Sequence, residues 1–283
     1  MRKCLLLIFF ALMLRNSYAD STYVYPSFYY THGAYTNTDY SNSLAFYNTI
    51  NISRGFYLIN HYEHLTINDP SWNYLQQAFL AGASINTFPF YIKLNYVHYK
   101  GELKYSSPSY FSDYNDYTNL YNLDFLFYTK MFYIGAAWTH ENLIGVRNEI
   151  TDQLTLRIDK VFSPFLYISL RPNFTYTRQV NNTFFPKPDH VRRLYSASLN
   201  GYYLINNSLF LKAGGFVGER AYYFDSDLLT IFNQDNDQLY QIYSQLDYTL
   251  FGSLKLMLSY QHTRFDNFSI NYYIAGIKSD FFF

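Results

Sequence analysis

Along most of this chain apolar and polar side chains take turns, residue by residue, in segments of ten to fourteen residues. Leu254, Leu256, Leu258 and Tyr260 alternate with Lys255, Met257, Ser259 and Gln261; Tyr240, Ile242, Leu246, Tyr248 and Leu250 alternate with Gln241, Gln245, Asp247 and Thr249. Upstream, Leu166, Ile168, Leu170, Phe174 and Tyr176 oppose Tyr167, Ser169, Arg171, Asn173 and Thr175. Leu154, Leu156 and Ile158 stand against Gln153, Thr155, Arg157 and Asp159, and Tyr121, Leu123, Phe125 and Phe127 against Asn122 and Asp124. Successive side chains of a strand point to opposite faces, so a period of two means strands with one apolar and one polar face. Past the first nineteen residues no apolar run approaches eighteen, which excludes spanning helices.

The pattern predicts about fourteen strands, near 22–30, 43–52, 55–66, 74–86, 90–103, 117–128, 131–142, 148–161, 165–178, 192–204, 208–220, 237–250, 253–265 and 268–283. Those around 22–30, 74–86 and 131–142 alternate weakly, so twelve is the alternative count. Connections alternate in length. Thr129-Lys130, Ser163-Pro164, Asn206-Asn207, Phe251-Gly252 and the links near Ser53-Arg54 and Phe88-Pro89 are tight turns, whereas Lys104–Asp116, Gln179–Val191 and Ala221–Asn236 are long and polar. A soluble sandwich alternates too, but with strands of about five to six residues and no such rhythm. Pro172 interrupts a strand that otherwise reads as central, and a bulge is expected there.

The last segment ends on Phe281-Phe282-Phe283, with Phe281, Ser279, Ile277, Ala275 and Tyr273 on one face and Asp280 and Lys278 on the other. Tyrosine, phenylalanine and tryptophan make up 22% of the chain against only 15% charged residues, too few to solvate so many rings in a water-soluble domain. In strand length, loop rhythm, aromatic content and terminal aromatic, the chain resembles bacterial outer-membrane β-barrels, and in size porin-like barrels of the OmpG or YaiO kind. The resemblance implies an all-β, antiparallel, up-and-down transmembrane barrel with an even number of strands, closing its last strand against the first near Thr22–Tyr30. It further implies outer-membrane lipid as surroundings, and a barrel-assembly machinery that reads Phe281 and Phe283.

The amino end fits such an export route. Arg2 and Lys3 precede an apolar stretch from Cys4 to Leu14, and Ser17-Tyr18-Ala19 offers a small-residue exit, so 1–19 reads as a signal peptide and 20–283 as the barrel. Its removal takes away three cations and the only cysteine, leaving 18 basic against 21 acidic residues, which argues against a nucleic-acid partner. No disulfide framework is available to the mature chain.

Charges that fall on the polar faces are the candidate lumen lining: Lys93, Asp124, Arg157, Asp159, Arg171, Lys212, Asp247, Lys255, Lys278 and Asp280. They suit either a polar conduit or internal ion pairs, and fourteen strands favour a water-filled lumen. The inward tyrosines Tyr167, Tyr202 and Tyr243 suit packing on one another or on long basic side chains. Of seven histidines only His61-Tyr62-Glu63-His64 and His140-Glu141 form constellations, and on a strand His64 points away from His61, so no two-histidine metal site follows. Asp225-x-Asp227 and Asp235-x-Asp237 match no calcium loop. No catalytic motif and no cofactor is indicated; a surface hydrolase built from loop carboxylates is the remote enzymatic alternative. The expected function is passage of small hydrophilic solutes, with loops such as 221–236 narrowing the mouth. A non-conducting structural, adhesive or assembly-related barrel is the alternative.

Overall fold

A computed structural model describes residues 22–37, 39–106, 114–129, 131–145, 148–180, 191–221, 223–225, 230–232 and 236–282. The expected signal segment 1–19, Phe283, Asp227, Asp235 and most of the two links 104–116 and 179–191 lie outside the described residues.

The first eleven strands are β1 (Tyr23–Tyr35), β2 (Tyr40–Ser53), β3 (Phe56–Asn68), β4 (Trp72–Thr87), β5 (Phe90–Tyr105), β6 (Tyr114–Tyr128), β7 (Phe132–Ile144), β8 (Glu149–Ser163), β9 (Leu166–Gln179), β10 (Val191–Asn206) and β11 (Leu209–Arg220). A short hairpin follows, β12 (Tyr223–Asp225) and β13 (Thr230–Phe232), and then β14 (Gln238–Phe251), β15 (Leu254–Phe265), β16 (Ser269–Lys278) and β17 (Phe281–Phe282). The fourteen long strands pair antiparallel in chain order, with β11 meeting β14 across the hairpin. β16 pairs with β1, which closes the sheet into an up-and-down barrel of fourteen strands.

Closure involves both ends of the described chain. Lys278 faces Ser27, and beyond Ser279-Asp280 the pairing resumes with Val24 opposite Phe281 and Tyr23 opposite Phe282. β1 runs to Tyr35 rather than to the expected Tyr30, because its ladder with β2 continues as far as Ala34 opposite Tyr40.

The tight turns lie at one end, with both ends of the described residues, and the loops at the other. Four of the six turns are reached through a one-residue register shift, at Asn51/Ser53, Val161/Ser163, Leu204/Asn206 and Thr249/Phe251. Such a bulge adds twist where the chain must reverse. At Gly55 φ is +83°, and a Cβ there would stand 2.3 Å from the Asn86 carbonyl oxygen, so the turn needs glycine.

Pro172 corrects one expectation. No bulge forms there: β8 and β9 keep one register from Thr155 opposite Asn173 to Ile158 opposite Leu170. The missing N–H leaves a gap in the ladder at Leu156 and Arg157 without changing the count of residues.

The two faces of the wall follow the alternation. Outward on β5 stand Phe90, Ile92, Leu94 and Tyr96, all exposed, then His98, Lys100, Glu102 and Lys104 towards the loops. Inward stand Lys93, Asn95, Val97, Tyr99 and Gly101, all buried. Large apolar side chains are exposed all round the barrel, among them Leu44, Phe79, Leu123, Leu156, Leu199 and Leu258. An apolar exterior of this extent is soluble only in lipid.

Candidate functional site

Of the ten predicted lumen charges, Lys93, Asp124, Asp159 and Arg171 are buried, Lys255 and Asp280 are partly exposed, and most of the ten meet an opposite charge or a ring. Lys93 and Asp124 face each other across β5 and β6 in register, and both are buried. Arg157 pairs with Asp159, and the Tyr167 hydroxyl donates to Asp159 Oδ2 (2.5 Å) while accepting from Arg157 Nη2 (3.1 Å). Near the turn end Lys278 Nζ donates to Asp247 Oδ2 (2.7 Å), and Lys255 Nζ lies 3.4 Å from Asp280 Oδ2. Arg171 donates to Ser169 Oγ (3.0 Å) and reaches within 3.8 Å of Asp225. Lys212 stands over the rings of Tyr202 and Tyr243, 5.3 and 5.5 Å from their centroids. The inward tyrosines therefore pack on one another and on a cation, Tyr167 meeting Tyr202 edge-on at 5.0 Å.

The element that reaches across the lumen reads in the sequence only as a loop. Between β11 and β14 the chain turns inward, and Phe224 is 1% exposed in a cluster with Ile59, Leu80, Val97 and Leu120, backed by Tyr47. Those partners come from β2 to β6, the wall opposite the hairpin's own attachment. Gln153 on β8 clamps the backbone of Phe224: its Nε2 donates to the Phe224 carbonyl (2.9 Å) and its Oε1 accepts the Phe224 N–H (3.0 Å). The Arg220 guanidinium lies between the rings of Phe216 and Tyr223, at 3.8 and 4.1 Å, and donates to Ser196 Oγ at 2.9 Å.

Towards the loops a second apolar tier crosses the lumen, with Ala78 and Tyr99 against Leu143, Leu194 and Ala221. Cavities of 10 and 20 Å³ flank the hairpin, room for about one water each. Towards the turns the interior widens into a cavity of 570 Å³ lined by Tyr91, Tyr128, Tyr133, Tyr167, Arg157 and Asp159. The expectation of a water-filled lumen is thus corrected at mid-height, where side chains and the hairpin fill it. The segment 221–236, expected at the mouth, sends Tyr223–Asp225 into the interior instead.

Sequence reasoning missed Gln153 as a clamp, and Phe224 and Arg220 as plug residues. One signal was available: Tyr222-Tyr223-Phe224 is an aromatic run inside a loop, where no strand face accounts for it. The histidine constellation divides as its spacing requires. His61 is buried inside and stacks on Tyr47 at 4.0 Å, and Glu63 accepts from Ser43 at 2.5 Å, while His64 is on the outer face. Among the described residues no group of three His, Cys, Asp or Glu could hold a metal ion. At the loop rim, burial and then its hydrogen bond with Asp69 push the Asp39 carboxyl up, whereas bonds from Ser71 hold Asp69 down.

No family model matches the chain, and none of the curated proteins matches it by sequence. Solved structures do match in fold. A channel described as the CymD monoaromatic hydrocarbon channel superposes with a TM-score of 0.60 at 7% identity, covering 93% of this chain and 88% of that one. The toluene transporter TodX of P. putida gives 0.56 at 8% identity over 93% and 90%, and TbuX of Ralstonia pickettii 0.58 at 10% over 93% and 89%. At these identities the likeness is one of fold: the chain has the closed antiparallel β-barrel fold of these outer-membrane channels, with an apolar exterior suited to lipid.

Proposed function

We propose that the barrel is a gated channel for small polar solutes, with the β12–β13 hairpin as its gate. The carrying observation is the seat of Phe224: an aromatic side chain on the link between β11 and β14, held at mid-lumen by the Gln153 clamp and an apolar pocket, with Tyr223 under Arg220 and Asp225 near Arg171 beside it. Such a seat is strong enough to close a path and small enough to be left, since burying one phenylalanine is worth about 1.5–3 kcal/mol. CymD, TodX and TbuX are described as carrying hydrocarbons. Here the wall from the turn-side cavity upwards carries Arg157, Asp159, Arg171 and Lys212, which supports a polar cargo; both signs of charge occur, so weak ion selectivity is expected.

The test is swelling of proteoliposomes in small sugars and amino acids, with the wild-type protein and with residues 223–232 deleted. Arg220 and Gln238 already pair, so the shortened link still closes the β11–β14 hairpin. Solute uptake faster than in protein-free vesicles, and faster again after deletion, is expected. No uptake with either protein, both folded, would sink the channel reading in favour of a structural or adhesive barrel.

The second part of the proposal concerns assembly. Phe281, exposed at the seam beside Val24, and Phe283 serve as the signal read by the outer-membrane assembly machinery. Truncation of residues 281–283 also removes the last rungs of closure, so unfolded protein should collect in the periplasm. Normal surface levels of the truncated chain would contradict this.

A further inference from the structure

Outside the lumen one arrangement recurs on hairpin after hairpin. Tyr30-Thr31-His32 on β1, Tyr62-Glu63-His64 on β3, Tyr96-Val97-His98 on β5, Trp138-Thr139-His140 on β7 and Tyr260-Gln261-His262 on β15 each put a ring and an imidazole on the outer face, two residues apart, near the loop end. Directly opposite each imidazole, on the following strand, stands Asn42, Gln77, Asn119, Asp152 or Asn271.

Three of these units are alike in atomic detail. Asn42 Oδ1 accepts from the Tyr30 hydroxyl (2.7 Å) and from His32 Nδ1 (3.0 Å). Asn119 Oδ1 accepts from Tyr96 (2.8 Å) and His98 Nδ1 (3.0 Å), and Asn271 Oδ1 from Tyr260 (2.9 Å) and His262 Nδ1 (2.8 Å). An amide oxygen only accepts, so Nδ1 carries the ring proton, and the acceptor of each asparagine is used twice. Each unit is left with the asparagine Nδ2–H₂ group as donor and the imidazole Nε2 edge. One rung nearer the loops on the same outer face stand Lys100 above His98 and Arg264 above His262, and Arg178 follows Tyr176 on β9 where the other strands carry histidine. Among the described residues the acids near this level include Glu102, which pairs with Lys100 and Lys104, Asp152, which accepts from His140 Nδ1 (3.0 Å), Glu219, and exposed Asp266 two residues past Arg264.

The depth is fixed by the residues below: exposed Tyr30, Tyr96, Trp138 and Tyr260 form the aromatic girdle that marks a lipid–water boundary. Just above a girdle sit lipid headgroups. Donors in excess with cations over them complement an acceptor-only anion, and the anion present at that depth in a bilayer is the headgroup phosphate. We propose that this belt docks the phosphates of outer-leaflet lipids. The asparagine N–H groups and the outward cations donate to phosphate oxygens, and the imidazole edges accept from neighbouring headgroup hydroxyls. The β7–β8 unit is the exception, because Asp152 puts a carboxylate where the others put an amide. This inference rests on the exterior lying in lipid and is independent of whether the lumen conducts.

The test is native mass spectrometry of the folded barrel released from micelles doped equally with phosphatidic acid, phosphatidylcholine and a neutral digalactosyl lipid. The wild-type barrel should retain phosphatidic acid over phosphatidylcholine by at least about fivefold, as charge-assisted hydrogen bonds require. Asn42→Leu, Asn119→Leu and Asn271→Leu together should bring that ratio close to parity, while Asp152→Asn should raise it. Folding is followed by heat-modifiable gel mobility; if the triple variant does not fold, Lys100→Gln with Arg264→Gln should lower the ratio at least about twofold. Equal retention of the two phospholipids by the wild-type barrel, preference for the digalactosyl lipid, or an unchanged ratio in a folded variant would overturn the proposal.

Discussion

Phe224→Ala combined with Gln153→Leu should hold the barrel open for a far larger share of the time than wild type in planar bilayers. The substitutions remove the Phe224 pocket contact and the Gln153 clamp, leaving the Arg171–Asp225 approach and the Arg220–Tyr223 stack in place. Truncating a buried phenylalanine costs the site about 3–5 kcal/mol, and the paired hydrogen bonds between Gln153 and the Phe224 backbone go with it. Each 1.4 kcal/mol of that cost borne by the closed state alone shifts the open-to-closed ratio about tenfold. The barrel wall should be unaffected, because its ladders run through neither side chain. If the tier of Tyr99, Leu143 and Leu194 is the tighter barrier, adding Tyr99→Ala gives the larger increment in current. Unchanged single-channel records for the folded triple variant would remove the hairpin from any gating role.

Leu199→Arg should destabilise the barrel by about 2–4 kcal/mol, the cost of an arginine at the bilayer midplane. Leu199 is 57% exposed, halfway along β10, with Leu170 beside it on β9. Val217, still more exposed at 68%, lies near the loop end of β11 opposite Tyr240, and Val217→Arg should cost no more than about 1 kcal/mol. Urea unfolding in lipid vesicles, read by gel mobility, measures both. In a barrel whose exterior faced water the two changes would be equally harmless, so a difference in this order is the discriminating result.

These contrasts also explain what could be read from the chain alone. Lys93, Asp124, Arg157 and Lys278 were placed inside by counting in twos, because one face of each strand is held by lipid and a shift of one residue would put every charge into it. The strand count and the seam at Phe281 followed from the same constraint. Pro172 misled because a missing donor need not add a residue. Phe224 escaped for a different reason: in a loop no period ties a side chain to a face, and its partners Ile59, Leu80, Val97 and Leu120 are more than a hundred residues away in the chain. The outer units of tyrosine, histidine and asparagine escaped too, since the partner of each histidine is set by strand register rather than by a fixed spacing.

The hairpin leaves the wall between β11 and β14, and its phenylalanine lands on β3 to β6, half-way round the ring of fourteen strands. A single-layered cylinder is stiff along its strands and weak against flattening. A strut across its diameter, fixed at one end by the Arg220 stack and at the other by the Phe224 pocket, keeps the cross-section from changing shape. In the gating proposed above, release of the strut would also free the wall to round out or flatten, so the bore would be set by the shape of the whole ring as well as by the volume the hairpin leaves behind.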